Sequence, residues 1–256
     1  MITHNDIKAD LHTHTIASGH AFSTVLENMT SAKSAGMDYI AVTDHYYHDG
    51  TKIDRLNEVH RMISADRCSD RYIGITVING GEFNVDSIDP FYHTDLLKGV
   101  KWRLLGLHDW FLENPISHYS LYNIFNMFIN TCMSMNDWRI PPTAIAHIER
   151  GIRAASDFNE NLFASHVEDL LTFTKDNNLY MEVNESSAKN KDLQDIMRIW
   201  IKMAKENGNK ICLGSDAHFA LHVGRFDNAI ALLNEVDYPK ELILNCDRTA
   251  LNQFCK

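Results

Sequence analysis

The stretch "KADLHTHTIASGHAFSTVLENMTSAKSAGMDYIAVTDH" (residues 8–45) sets the fold expectation for the whole chain. "KADLHTH" (8–14) is a short run that reads as a strand. "FSTVLENMTSAKSAG" (22–36) carries the spacing of an amphipathic helix, with Gly36 as its stop. "DYIAVTD" (38–44) is β-branched and apolar and reads as a second strand. Both strands end in histidine: His12 and His14 on the first, His45 after the second, with His20 in the loop between. A His-x-His pair arises by chance at fourteen histidines in 256 residues, so the pair carries meaning only if the rest of the chain supplies partners.

The alternation continues along the chain. "KIDRLNEVHRMISAD" (52–66) reads as a helix, "RYIGITVINGGE" (71–82) and "KWRLLGLHD" (101–109) as strands, and "SLYNIFNMFINTCMSM" (120–135) as a helix. "TAIAHI" (143–148), "LYMEVNE" (179–185) and "KICLGSD" (210–216) are strands. Helices are expected at 162–178, 191–208, 225–236 and 247–255. About seven strands separated by helices imply a parallel sheet, and 256 residues suit a single closed β/α barrel. An open doubly wound sheet is the runner-up, but the Gly-rich phosphate loop it would carry after its first strand is missing.

A barrel places its chemistry at the C-terminal ends of its strands. Those ends carry His12 and His14, then Asp44–His45, Glu82, His108, His147, and finally Asp216 and His218 in "GSDAH". The i, i+2 spacing turns each pair to one face. Six distant segments thus bring imidazoles and carboxylates toward one rim. Seven histidines and two carboxylates exceed the roughly four ligands one zinc ion takes, and this cysteine-free donor mixture suits Zn²⁺, Mn²⁺ or Fe²⁺.

Composition narrows the classes. The net charge of −10 argues against a general nucleic-acid or membrane-surface binder. Five cysteines (Cys68, Cys132, Cys212, Cys246, Cys255) without C-x-x-C spacing read as reduced thiols. No apolar leader and no run of eighteen apolar residues is present, which predicts a cytoplasmic chain that does not cross a membrane.

In order, the motifs "DLHTHTIASGH", "VTDH", "GGEFNV", "LLGLHDW", "AIAHIERG", "MEVNESS" and "LGSDAHFALHVGRFDNAIALL" make the chain resemble the PHP (polymerase and histidinol phosphatase) superfamily, and within it the YcdX-like phosphatases. The resemblance implies a distorted (β/α)7 TIM-like barrel, one domain over residues 1–256, with a trinuclear metal site. Its ligands would be His12, His14, His20, His45, Glu82, His108, His147, Asp216 and His218. One ion would take the first His pair with Glu82 and Asp216. A second would share that glutamate with the two middle histidines, and a third would take the remaining three. Three divalent ions, less two carboxylate charges, leave about +4, which favours an anionic substrate. The implied activity is hydrolysis of phosphate esters, foremost of monoesters, through a metal-bridging hydroxide held by Glu82 and Asp216. Zinc is the first choice of metal, then manganese or iron.

A small phosphorylated substrate and inorganic phosphate are the expected partners. A phosphodiesterase or exonuclease on short nucleic acid and a non-catalytic regulatory module are the alternatives. The relatives' usual Pro-Gly after the position of His147 is replaced by Ile148-Glu149-Arg150, and "HDW" (108–110) also departs from the usual pattern. Asp10 and Asp44 are expected to orient imidazoles, Arg150, His222 and Arg225 to contact phosphate, and Glu149 and Glu182 to support the site or the fold. His4, His48, His60, His93, His118 and His166 have no partner that the sequence names.

Overall fold

A computed structural model describes residues 1–46, 74–85, 100–108, 112, 114–134 and 143–255. The expected helix 52–66, and His48, His60, His93, Cys68 and Asp109–Trp110, lie outside the described residues.

The strands are β1 (Ala9–Asp10), β2 (Tyr39–Val42), β3 (His45–Tyr46), β4 (Thr76–Asn84), β5 (Trp102–Gly106), β6 (Thr143–Ile145), β7 (Tyr180–Asn184) and β8 (Ile211–Gly214). Every pairing is parallel, in the order β1-β2-β4-β5-β6-β7-β8, with the two-residue β3 continuing along β4. Parallel neighbours require crossovers, and helices supply several of them. Among the described residues these include α1 (Val25–Ser34), α2 (Leu121–Ser134), α3 (Glu160–Asp176), α4 (Glu185–Ala188), α5 (Lys191–Asn207), α6 (Asp227–Glu235) and α7 (Arg248–Leu251).

Local chemistry sets the boundaries. Helix α1 starts three residues later than the sequence pattern suggests, because Thr24 and Glu27 form a reciprocal capping box there. Gly208 ends α5 in the left-handed region at φ 74°. The expected helix 247–255 is α7 followed by a 3₁₀ turn.

The sheet closes at the β1–β8 seam. Thr13 bridges to Ala217, and the Asp216 amide donates to the His12 carbonyl at 2.8 Å. Below that, buried Asn245 bridges the strands beside the Leu11 amide's bond to the Leu213 carbonyl at 3.3 Å. Its Nδ2 donates to the carbonyls of Ala9 (2.9 Å) and Leu213 (2.8 Å), and its Oδ1 accepts from the Leu213 amide at 2.7 Å.

Strand alternation sorts side chains into two cores. Ile40, Val42, Phe83, Leu105, Ile145, Met181, Val183, Ile211 and Leu213 pack outward with residues of the helices. Ala9, Leu11, Ile78, Trp102, Leu104, Ala144, Tyr180 and Cys212 fill the barrel interior. Leu251 and Phe254 join this inner set and seal the floor, with Phe254 stacked on Trp102. Apolar side chains thus occupy the lower barrel. On β4, β5 and β8 the same inward register continues to polar residues at the top, whereas His12 and His14 lie one residue out of step with Ala9 and Leu11, and His147 directly follows the inward Ala146.

Candidate metal centre

On β4 the inward register runs Ile78, Gly80, Glu82. On β5 it runs Leu104, Gly106 and on to His108. On β8 it runs Cys212, Gly214 and on to Asp216. The glycines make room. A Cβ on Gly106 would strike Glu82 Oε1 and the rings of His147 and His108, and one on Gly214 would strike Glu182 Oε1 and His12 Cβ. His147 and Asp216 hold left-handed backbone at φ 31° and 54°. Such conformations are costly for residues with a Cβ and cluster at functional sites.

All nine expected ligands converge. His12, His14, His45, Glu82, His108, His147 and Asp216 are buried, whereas His20 is exposed and His218 partly buried at the rim. His12 Nε2 lies 3.0 Å from His14 Nε2, 3.4 Å from Glu82 Oε2 and 3.5 Å from Asp216 Oδ1. His14 Nε2 is 3.3 Å from each of those oxygens. A tetrahedral shell with zinc bonds of 2.0–2.2 Å has edges of about 3.3–3.6 Å, close to this spacing. Glu82 Oε1 faces the other way, 2.7 Å from His147 Nε2 and 3.5 Å from His108 Nε2. At the mouth His20 Nε2 and His218 Nε2 are 2.9 Å apart. Ligand atoms of His14, His45 and His218 form a further group compact enough for an ion, as do those of His45, Glu82 and His108.

The donor set fits metal ions by its proton bookkeeping. His12 Nδ1 donates to Glu182 Oε1 at 2.7 Å. His14 Nδ1 donates to Ser18 Oγ at 3.0 Å, and that hydroxyl in turn donates to Asp44 Oδ1. His20 and His218 direct Nδ1 at the carbonyls of Ser18 and Asp216. In neutral rings each Nε2 then carries a lone pair, so the pairs His12–His14 and His20–His218 face each other lone pair to lone pair. A shared cation resolves that arrangement. Glu82 Oε2, buried among imidazoles, has no hydrogen bond of good geometry among the described residues.

Electrostatics agree. Burial opposes charge on Glu82 and Asp216, yet the imidazoles clustered around Glu82, and Arg150 first of all beside Asp216, hold both well below the usual carboxylate range. Burial drives His108 down to about 3 and His218 to about 4, leaving neutral rings able to ligate. In the metal-free chain burial opposes protonation of His14, but Asp216 and Glu82 prevail and raise it to about 9.

The carboxylates and cations expected around the cluster take separate places. Asp10 touches no imidazole: it accepts from the amides of His12, Ser215 and Gly224 and ties β1 to the loop after β8. Asp44 reaches His14 only through Ser18. The carboxylate that does orient a ligand ring is Glu182. It was detectable in "LYMEVNE" as an inward residue one register step before Asn184 at a strand end. His222 and Arg225 are exposed, and the His222 ring lies against Phe219. Arg225 donates Nε to the Leu221 carbonyl and lines a separate cleft with His4, Ser31 and Asp227.

Arg150 does line the cleft over the metal centre, a space of about 540 Å³ shared with Ser186, Ser187, Asn190, Leu193 and the rim histidines. Its Nη2 donates to Asp216 Oδ2 (2.5 Å) and Asn184 Oδ1 (3.1 Å), and its Nε to Ser187 Oγ (3.1 Å).

A parallel barrel with a His-rich carboxylate cluster at the C-terminal ends of its strands defines a class of barrel protein whose donor groups are suited to metal ions. The comparisons then name the family: the PHP domain model matches residues 10–186, and the chain belongs to that family. A probable phosphatase of Caldanaerobacter subterraneus subsp. tengcongensis is 29% identical over 96% of this chain and 89% of its own length. A probable phosphatase of Photobacterium profundum is 30% identical over 92% and 88%. Among solved structures, the histidinol phosphate phosphatase of Lactococcus lactis subsp. lactis Il1403, complexed with zinc, L-histidinol and phosphate, superposes with a TM-score of 0.62 at 14% identity, covering 91% of this chain and 94% of that one. At that identity the likeness concerns the fold.

Proposed function

We propose that the protein is a metal-dependent phosphatase that hydrolyses small phosphate monoesters at a trinuclear site. The observation that carries the reading is the split of Glu82, whose Oε2 faces His12, His14 and His45 while Oε1 faces His108 and His147. A carboxylate so placed can join two cations and lower their mutual repulsion, which a neutral imidazole does not do. His12, His14, Glu82 and Asp216 would hold one ion, Glu82 with His108 and His147 a second, and His20, His45 and His218 a third. Zinc, present in the Lactococcus enzyme, is the first metal to test, with manganese and iron next. When bound, the ions supply Lewis acidity and an activated water.

The chain's own residues do the rest. Glu182 and Ser18 lock the tautomers of His12 and His14. Arg150 Nη1 has no partner among the described residues, while Nε and Nη2 are anchored. The guanidinium is therefore held at the cleft with one donor edge available to a phosphate oxygen. The alcohol released leaves through the same cleft.

The test is a panel of phosphomonoesters, dinucleotides and single-stranded DNA offered to metal-replete protein, with elemental analysis of the same preparation. Monoester turnover abolished by a chelator, at more than one ion per chain, is expected. Turnover of diesters or DNA alone overturns the monoesterase reading, and one ion or fewer per chain overturns the multinuclear one.

A further inference from the structure

Three features of the cleft have no part in the chemistry above. Ser186 is exposed on α4, and its hydroxyl has no partner among the described residues. Asn190 spends its Oδ1 on capping α5, accepting from the Asp192 amide at 3.0 Å, and its amide Nδ2 has no partner among the described residues. Leu193, half-buried one turn on, presents methyl groups to the same space. The acid on this lining is Asp216, already paired with Arg150 and turned toward His12 and His14. An ammonium group entering the cleft would meet the Arg150 cation and find no open carboxylate among the described lining residues.

We propose that Ser186, Asn190 and Leu193 read the alcohol half of the substrate, and that this half is a neutral, hydroxyl-bearing sugar or polyol. The inference rests on the phosphatase reading, since it assumes the phosphate sits on the metal ligands and Arg150. One hydroxyl acting as donor and acceptor, one amide acting as donor, and one aliphatic surface match the hydroxyls and C–H face of such a group. A site that hydrogen-bonds a substrate hydroxyl discriminates strongly against compounds lacking it. The charge of the lining separates this class from amino-alcohol phosphates.

The experiment compares kcat/KM of the zinc-loaded protein for sugar and polyol phosphates, an amino-alcohol phosphate and p-nitrophenyl phosphate. Sugar or polyol esters are expected to be preferred over the amino-alcohol ester by more than tenfold. Two variants make the test residue-specific. Ser186→Ala should lower the sugar-to-aryl ratio about five- to tenfold, the value of one neutral hydrogen bond. Asn190→Asp keeps the α5 cap but turns the amide into a carboxylate, and should shift the ratio at least tenfold toward the amino-alcohol ester. Aryl ester turnover with no sugar preference, or ratios unmoved in both variants, overturns the alcohol assignment and leaves the phosphatase reading standing. Absence of turnover with every ester overturns both.

Discussion

Glu82 and Glu182 are both buried carboxylates facing the barrel interior, yet their surroundings give them different work. Glu82 stands among five imidazoles with one oxygen turned to each side. Glu82→Gln keeps the shape, removes the charge and replaces one oxygen by NH₂. Elemental analysis should show the loss of at least one ion, and kcat should fall about a hundredfold or more. Full metal content with normal turnover would remove the bridging role. Glu182 instead grips His12 Nδ1 and accepts from the His147 amide at 3.1 Å. Glu182→Gln should weaken metal binding by about 10–100-fold while the fold persists, as competition with a chromogenic chelator would report. Residues such as His12, His14 and Asp216 stood out because they follow directly on the ends of β1 and β8, where a parallel barrel gathers its polar groups. Strand alternation alone would not aim them, since Ala9 and Leu11 hold the inward positions of β1 and Asp216 has left-handed backbone. Glu182 was harder to read, because an inward carboxylate at a strand end looks the same whether it binds an ion or a ring. Arg225 misled for a related reason: its nearness in sequence to His218 says nothing about which way the intervening 3₁₀ turn (Ala220–His222) points it.

At the scale of elements, the seam between β1 and β8 is held by a side chain as well as by backbone. Removing Asn245 by substitution to Ala leaves the Leu213 amide and the Ala9 and Leu213 carbonyls with fewer partners in a buried place. The expected loss is about 2–4 kcal/mol in urea unfolding, and a change under 1 kcal/mol would show that water or backbone replaces it. The strand–helix alternation was plain from periodicity across most of the described chain. The two-residue β3 was not, because Asp44–His45–Tyr46 has no period of its own and pairs only because β4 runs long beside it. Helix α4 was equally hidden. One turn capped by Asn184 lies below what periodicity can detect, although it places Ser187 under Arg150.

For the molecule as a whole, metal uptake and proton release are linked. The metal-free fold favours the charged form of His14, with a pKa raised from 6.5 to about 9. That contribution to stability is complete below pH 6.5 and is lost as pH rises through about 9. A metal ion must displace the proton, so affinity should climb with pH over the same window. Calorimetry of metal binding at pH 7 in two buffers of different ionisation enthalpy should show proton release; identical heats would refute it. Loading should also stabilise the fold, by about 2.7 kcal/mol for each ion at a hundred times its Kd, visible as a rise in Tm reversed by chelation.

The packed floor, where Trp102 donates Nε1 to the Leu11 carbonyl and lies against Phe254, makes the barrel a blind tube. Reactant and both products share one doorway. If the ester binds as proposed, with its alcohol at the lip and its phosphate deepest, the alcohol would depart first and inorganic phosphate last. Inorganic phosphate should then inhibit competitively against the ester, whereas the released alcohol should inhibit in a mixed pattern. Steady-state kinetics with each product added singly would reveal that order of departure, and competitive inhibition by the alcohol alone would reverse it.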